Sequence, residues 1–130
     1  MARESKMRSK WSILIVDDEF GVRESFRQLL KPYYEIYTAS DGEVALNIIK
    51  ERKIHLITLD LNMPKLSGIE TLREIRKIDG EVPVIIITGY GTPQDEKEAL
   101  LYGVKAFIPK PFDTNKIISI IDGILDSRIG

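Results

Sequence analysis

The chain has 130 residues, a net charge of −1 and 43% hydrophobic residues, which fits one globular domain. It has no cysteine, so disulfides, zinc–thiolate sites and a cysteine nucleophile are excluded. The charge gives no sign of nucleic-acid binding, and no apolar run is long enough for a membrane span or a signal peptide. We therefore expect a cytoplasmic protein that binds neither nucleic acid nor membrane directly.

The first ten residues are polar and mostly basic. We interpret residues 1–10 as a disordered tail or as residues added during cloning, with Met7 as an alternative start. Residues 11–127 should form the folded domain, and residues 128–130 its C-terminal end.

The first predicted strand is the apolar run 12–16, which is rich in β-branched residues. The helix after it ends at Pro32, and its apolar face consists of Val22, Phe26, Leu29 and Leu30. A weaker apolar run at 35–38 predicts an edge strand. Residues 40–43 (Ser-Asp-Gly-Glu) then match a capping box that opens the second helix.

Two further apolar runs, 54–59 and 82–87, predict strands buried on both faces. Pro83 can stand only at a strand start. Between these strands, a second capping box at 67–70 opens the third helix. The pair Thr92-Pro93 predicts the N-cap and first residue of the fourth helix.

The fourth helix should stop at Gly103. A weak run at 106–108 predicts a second edge strand, and Asp113 should cap the fifth helix. The predicted elements are five strands, each followed by a helix, or (βα)₅. This pattern predicts an α/β, flavodoxin-like, doubly wound sandwich. Its five-stranded parallel sheet should have the order 2-1-3-4-5.

Polar residues follow four of the five predicted strands. In such sheets ligands bind beyond the carboxyl ends of the strands, near the point where strands one and three are neighbours. The residues at these ends are Asp17, Asp18 and Glu19 after the first strand, Asp60 after the third, Thr88 and Gly89 after the fourth, and Lys110 and Pro111 after the fifth.

Any one of these aspartates is more often a turn former or a helix N-cap than a functional group. Three carboxylates in one pocket, however, repel each other and require a cation. An all-oxygen site favours Mg²⁺ or Mn²⁺. Asp60 could then act as a nucleophile that forms an acyl phosphate, while Lys110, the Thr88 hydroxyl and main-chain N–H groups near Gly89 contact the phosphate.

The same residues fall into four short motifs, each weak alone and highly specific together. Over Trp11 to Ser127 the chain resembles the response-regulator receiver family of two-component signalling. The motifs are Val16-Asp17-Asp18-Glu19, Asp60-Leu61-Asn62-Met63-Pro64 with Gly68 at its usual distance, Thr88-Gly89, and Lys110-Pro111-Phe112.

The resemblance implies a metal site and a phosphoacceptor. It implies that Asp60 accepts the phosphoryl group and also binds the metal. Asp18 would be a direct metal ligand, Asp17 would act mainly through water, and the main-chain carbonyl of Asn62 would complete the protein ligands. Lys110 would bind the phosphoryl group, and its bond to the following proline should be cis.

The resemblance also implies a switch. Thr88 and Phe107 would be the coupled pair, the hydroxyl turning to the phosphate and the ring turning inward. Phe107 has no hydroxyl to stabilise an outward state. Tyr90 stands where its ring would shield the acyl phosphate from water. The donor would be a phosphohistidine on a histidine kinase or phosphotransfer protein, and the only reactions catalysed would be the domain's own phosphorylation and dephosphorylation.

The last helix has an apolar face wider than packing on the sheet requires. Either the helix packs deeply, or the surface of the fourth helix, fifth strand and fifth helix binds a second copy or an output partner. His55, near the start of strand three and far from the acids, is interpreted as a surface or loop-edge residue.

Other functions stay open from the residues alone. The main alternative is a metal-dependent phosphohydrolase with an aspartate nucleophile, although no cap segment or general acid is evident. A flavodoxin-type cofactor binder and a receiver that is never phosphorylated are two more. The kinase, the signal, the output and the oligomeric state are not predicted, nor is it predicted whether the domain stands alone.

Overall fold

The computed structural model describes residues 11–129, within which five strands alternate with five helices. The strands are β1 (Ser12–Val16), β2 (Glu35–Ala39), β3 (Leu56–Leu59), β4 (Val84–Thr88) and β5 (Ala106–Pro109). The helices are α1 (Phe20–Leu30), α2 (Gly42–Glu51), α3 (Gly68–Ile78), α4 (Pro93–Leu101) and α5 (Thr114–Ile129). The predicted tail, residues 1–10, lies outside the described residues.

All strand pairs are parallel, and the strand order is β2-β1-β3-β4-β5. The predicted fold class and strand order are therefore confirmed. As predicted, the two weakest apolar runs are the edge strands: every residue of β1, β3 and β4 is buried, whereas β2 and β5 are mostly half-exposed.

The side chains of β1 point alternately to two apolar cores, one on each face of the sheet. Leu14 and Val16 belong to the core beneath α2, α3 and α4. Ile13 and Ile15 belong to the core beneath α1 and α5. This two-sided coverage explains why the central strands have continuous apolar runs instead of alternating ones.

The helix starts follow the predicted capping signals with one exception. Ser67 opens α3 and Thr92 opens α4, each in a complete capping box. The capping box predicted at 40–43 is wrong, because Asp41 is the N-cap of α2. Its backbone is extended, so its carboxylate reaches the main-chain N–H of Val44 at 3.0 Å and the helix starts one residue later.

The C-terminal half follows the remaining signals. Helix α4 ends before Gly103, whose φ of +74° is a left-handed conformation that glycine adopts without strain. Asp113 accepts a hydrogen bond from the N–H of Asn115 at the start of α5. The apolar face of α5 packs on the sheet, with its central residues fully buried and the flanking isoleucines half-buried. The central residues are Ile117, Ile121 and Leu125.

His55 lies just before β3, at the end of the sheet opposite the acids. Its Nδ1 accepts a hydrogen bond from the N–H of Ser12 at 2.9 Å, and its ring meets Trp11 edge-on. An acceptor Nδ1 places the proton of the neutral ring on Nε2. The residue thus joins the start of β1 to the start of β3.

Candidate functional site

The register of β1 and β3 determines where the acids emerge. Val16 pairs with Leu59, so the next residues, Asp17 and Asp60, leave neighbouring strands at the same level. Their main chains continue the ladder: Asp60 N–H donates to the carbonyl of Val16 at 3.0 Å, and Asp17 N–H donates to that of Ala39 at 3.1 Å. Both aspartates are buried, at 3% and 4% exposure, whereas Asp18 is exposed.

The three predicted acids meet in one cluster. Carboxylate oxygens of Asp17, Asp18 and Asp60 all lie within 4.8 Å of one another. Asp18 and Asp60 line a hollow of about 280 Å³, together with Glu19, Asn62, Gly89, Tyr90 and Lys110. Because the donors are all oxygens and two of the three are buried, the set fits a small hard cation.

One cation of the protein itself already lies among these acids. Lys110 Nζ is 2.9 Å from Asp17 Oδ2, 3.1 Å from Glu19 Oε1 and 3.2 Å from Asp60 Oδ2. Burial alone would lower the pKa of Lys110, but its bonds to these carboxylates raise that pKa above its ordinary value. The lysine therefore stays charged and lies directly against the Asp60 carboxylate.

Burial raises the pKa of Asp17, the carboxylate nearest to Lys110. The hydrogen bonds from Glu19 N–H and Lys110 only partly offset this rise. The raised pKa means that the ionised carboxylate of Asp17 is costly in this setting. A further cation in the pocket would relieve that cost, which is a second reason why the residues fit a metal ion.

Lys110 is positioned by the end of β5. Its main-chain N–H donates to the carbonyl of Thr88 at 2.9 Å, which extends the pairing of β5 with β4. The Lys110–Pro111 peptide bond is cis, as predicted. Gly89 lies beside it, and a Cβ on Gly89 would stand 4.0 Å from the Cβ of Lys110.

Asn62 makes contacts that the sequence did not predict. Its N–H donates to Asp60 Oδ1 at 3.0 Å. Its side-chain Oδ1 accepts from the hydroxyl of Thr88 at 2.6 Å and from the N–H of Tyr90 at 3.1 Å. Only its main-chain carbonyl was assigned a role from the sequence, because the amide reaches a strand that is distant in the chain.

The predicted switch pair lies beside a glycine that was also missed. Thr88 is buried and Phe107 is half-buried. A Cβ on Gly91 would be 2.6 Å from the Phe107 ring and 3.0 Å from the methyl group of Thr88. Glycine therefore allows the loop after β4 to lie directly against both members of the pair.

Gly68 has a comparable role at the start of α3. A Cβ there would lie 2.2 Å from the Cα of Leu61 and 2.6 Å from the main-chain oxygen of Asp60. Both neighbours are backbone atoms and cannot give way. The glycine at its usual distance from Asp60 thus lets α3 start directly against the backbone of Asp60 and Leu61 after β3.

Two more residues support the site without having been predicted to do so. Glu19 is the third carboxylate on Lys110, and Arg23 donates from Nη1 to the carbonyl of Asp17 at 2.8 Å. The acidic run after β1 was a visible signal for Glu19. Nothing local marked Arg23, because it reaches back one helical turn to the strand end.

No helix within residues 11–129 is both long enough and apolar enough to cross a bilayer.

Comparison with known proteins gives a consistent result. Residues 13–122 match the family model described as the response regulator receiver domain. The "Probable transcriptional regulator ycf27" of Guillardia theta is 37% identical over 120 residues, which are 92% of this chain and 47% of that protein. The "Sporulation initiation phosphotransferase F" of Bacillus subtilis is 36% identical over 106 residues, which are 81% of this chain and 86% of that protein.

A solved structure agrees with these relatives. In the CheX-CheY-BeF3-Mg+2 complex from Borrelia burgdorferi, the matching chain has a TM-score of 0.81 and 34% identity, covering 92% of each chain. The chain spans about half the length of the first curated relatives it matches. It belongs to the response regulator receiver domain family, whose members are phosphorylation-activated switches of two-component signalling and not conventional enzymes.

Proposed function

We propose that Asp60 accepts a phosphoryl group from a phosphohistidine of a partner histidine kinase or phosphotransfer protein. The observation that carries this proposal is the position of Asp60. Its carboxylate is buried at the carboxyl edge of the sheet, 3.2 Å from Lys110 Nζ and beside two further acids. The identification as a receiver domain supports the same reaction class.

The transfer needs one bond to form and one to break. An oxygen of Asp60 bonds to phosphorus, the bond from phosphorus to the donor imidazole breaks, and its electron pair stays on the imidazole nitrogen. The result is an acyl phosphate. Lys110, charged and already in contact with Asp60, neutralises an oxygen of the incoming group. Hydrolysis by water later restores the carboxylate, so the domain catalyses only its own phosphorylation and dephosphorylation.

Mg²⁺, or Mn²⁺ in its place, is the cofactor in this proposal. Asp18 and Asp60 would bind it directly, Asp17 mainly through water, and Asn62 through its main-chain carbonyl. When bound, the ion supplies positive charge next to the phosphoryl oxygens. The all-oxygen cluster supports this assignment, as does the presence of Mg²⁺ in the similar Borrelia complex.

Thr88 and Phe107 would carry the signal away from Asp60. The Thr88 hydroxyl turns to a phosphoryl oxygen, N–H groups around Gly89 donate to another, and the Phe107 ring moves into the space that the threonine vacates. The contact of Gly91 with both residues supports this coupling. Pro111 follows the cis bond and lines a neighbouring hollow together with Glu19, Gly89 and Tyr90.

The output surface would be formed by α4, β5 and α5. Leu100 and Leu101 on α4 are 58% and 83% exposed, which is unusual for adjacent leucines of a helix that packs on a core. A second copy of the chain or an output partner would cover them after phosphorylation. In this proposal the domain works in the cytoplasm and does not itself bind nucleic acid.

The direct test is incubation with Mg²⁺ and a small acyl-phosphate donor, followed by intact-mass measurement. We expect the mass of one phosphoryl group to be added to the wild type and to the matched control Asp126→Asn, in which an exposed aspartate of α5 is changed. Asp60→Asn and a sample with chelator should show no gain. A gain that persists in Asp60→Asn would refute the assignment of the acceptor.

Tyr90 should control how long the phosphoryl group lasts. Its ring is 82% exposed and lines the hollow that contains Asp60. We expect slower self-dephosphorylation in the wild type than in Tyr90→Glu, because the ring shields the acyl phosphate from water. Equal lifetimes of the phosphorylated forms would contradict this. No observation on the described residues favours the phosphohydrolase alternative.

A further inference from the structure

The side chain of Asn62 joins the loop after β3 to the end of β4. The atom that faces the N–H of Tyr90 must be the amide oxygen, because a main-chain N–H can only donate. That oxygen has no hydrogen to give, so the hydroxyl hydrogen of Thr88 must point at it. Hydrogen-bond chemistry thus fixes the orientation of both side chains.

Thr88 has a single hydroxyl hydrogen, and two acceptors compete for it. One is Asn62 Oδ1, which lies 2.6 Å from the Thr88 hydroxyl oxygen and accepts this hydrogen while Asp60 is unmodified. The other is a phosphoryl oxygen on Asp60. A charged phosphoryl oxygen accepts more strongly than a neutral amide. Asn62 is exposed, so water can replace the hydroxyl as the partner of its amide oxygen once the buried Thr88 hydroxyl turns to the phosphoryl group.

The backbone of Asn62 links this competition to Asp60. Its N–H donates to Asp60 Oδ1 at 3.0 Å, so one residue contacts both the acceptor carboxylate and the threonine. Its second side-chain bond, to Tyr90 N–H, holds the start of the loop in which Gly91 lies against Phe107. Release of the amide would free the hydroxyl and the loop together.

We infer that the Asn62 side chain is a positioning residue that latches the unphosphorylated state, and that the phosphoryl group must displace it from Thr88. The inference rests on the proposed function, because it takes Thr88 as the residue that turns to the phosphoryl group. It assigns Asn62 a role in the switch in addition to the main-chain carbonyl proposed as a metal ligand.

The test uses Asn62→Ala, which removes the amide but keeps the main-chain N–H and carbonyl. Beryllium fluoride with Mg²⁺ replaces the phosphoryl group, and amide NMR signals of Tyr90 and Gly91 report the state of the loop. In the unmodified variant these signals should shift toward those of the loaded wild type. The half-saturating concentration of beryllium fluoride should fall about two- to tenfold, the range for losing one or two weak neutral hydrogen bonds.

Three further variants make the result specific. Asn62→Ser, too short to reach Thr88, should behave like Asn62→Ala. Asn47→Ala, which changes an exposed asparagine of α2, should behave like the wild type. Asn62→Ala should lower the half-saturating concentration much less in a Thr88→Ala background. In a Thr88→Ser background the effect should persist, because serine keeps a hydroxyl to release.

Two results would overturn the latch alone. In the first, the wild type loads normally, but Asn62→Ala changes neither the NMR signals of Tyr90 and Gly91 nor the half-saturating concentration. In the second, Asn62→Ala lowers the half-saturating concentration equally in the Thr88→Ala background. If the wild type takes up neither beryllium fluoride nor a phosphoryl group at Asp60, the proposed function and the latch are both wrong. Loading of the wild type therefore separates the two failures.

Discussion

Helices α3 and α4 are neighbours on the same face of the sheet, but different forces hold them. Helix α3 buries four residues, including Leu72 and Ile75 with no exposed surface. Helix α4 buries only Ala99, and its adjacent leucines point to solvent. The first helix is therefore held mainly by apolar burial, which the second largely lacks.

Polar bonds from α3 replace that burial. Arg73 donates to the Tyr102 hydroxyl at 3.0 Å and to Glu98 at 2.9 Å, and Arg76 donates to the carbonyl of Tyr102 at 2.7 Å. Such bonds can be exchanged for bonds to water at small net cost, whereas apolar surface cannot be exposed without loss. We therefore expect that displacing α4, which follows the loop carrying Gly91, costs less free energy than displacing α3.

The largest effect should come from the core of α3. Ile75→Ala removes a fully buried side chain and should cost about 2–5 kcal/mol of unfolding free energy, through lost burial and the cavity left behind. Urea unfolding measures this. Ile78→Ala, at the exposed end of the same helix, is the control and should cost far less. Equal losses at the two positions would mean that α3 is not held by its buried face.

The next effect should come from the half-buried guanidinium of Arg76, which bonds to the loops before β4 and after α4. Arg76→Met keeps an apolar side chain of similar length but leaves the carbonyls of Val82 and Tyr102 without this donor. Burial lowers the pKa of Arg76, a sign that the site is partly shielded from water. We expect a loss of about 1–3 kcal/mol in unfolding free energy.

Lys77→Met is the matched control for Arg76→Met, because Lys77 is exposed and pairs only within its helix in the described contacts. Its effect should lie within about 0.5 kcal/mol. A similar loss in both variants would show that charge on α3, and not the bonds to the loops, is what matters.

A smaller effect should follow from the exposed pair between the two helices. Arg73 and Glu98 are 43% and 36% exposed, so Glu98→Gln should cost only about 0.2–1 kcal/mol. Amide hydrogen exchange should nevertheless accelerate in α4 while exchange in α3 is unchanged. Glu74→Gln, which breaks a pair within α3, should leave exchange in α4 as it was. Acceleration of both helices alike would remove the distinction between them.

The smallest effect on stability should come from the outer face of α4. Leu101→Gln should change the unfolding free energy by less than about 0.5 kcal/mol, because this side chain is already in water. The same variant should weaken self-association of the chain loaded with beryllium fluoride, measured by sedimentation. A loaded wild type that stays monomeric at every concentration would contradict the dimer proposed for this surface.

Much of the site could be predicted from the sequence because it depends on regular features. The apolar runs predicted the strands, and the parallel arrangement then required Asp17, Asp60 and Lys110 to meet at one edge. The position of the cluster follows from backbone register alone. The family motifs supplied the individual roles, which the residues alone left open.

The missed features depend on side chains that reach from one element to another. The amide of Asn62 bonds to Thr88, 26 residues away, and Arg23 of α1 bonds to the carbonyl of Asp17, the residue after β1. The start of α2 was predicted one residue early, because Ser40 and Asp41 are both good N-caps and only the extended backbone of Asp41 decides between them. No local pattern encodes these choices.

The parallel register also predicts where the chain tolerates engineering. Side chains alternate along β1, so inserting one residue between Val16 and Asp17 would send the carboxylate to the opposite helical layer. The turns at the amino ends of the strands take no part in the acid cluster. A label or a short added segment at the exposed pair Arg52-Lys53, before β3, should therefore leave the chemistry at Asp60 intact. A reporter attached at that turn could follow the state of the pocket without changing the residues that form it.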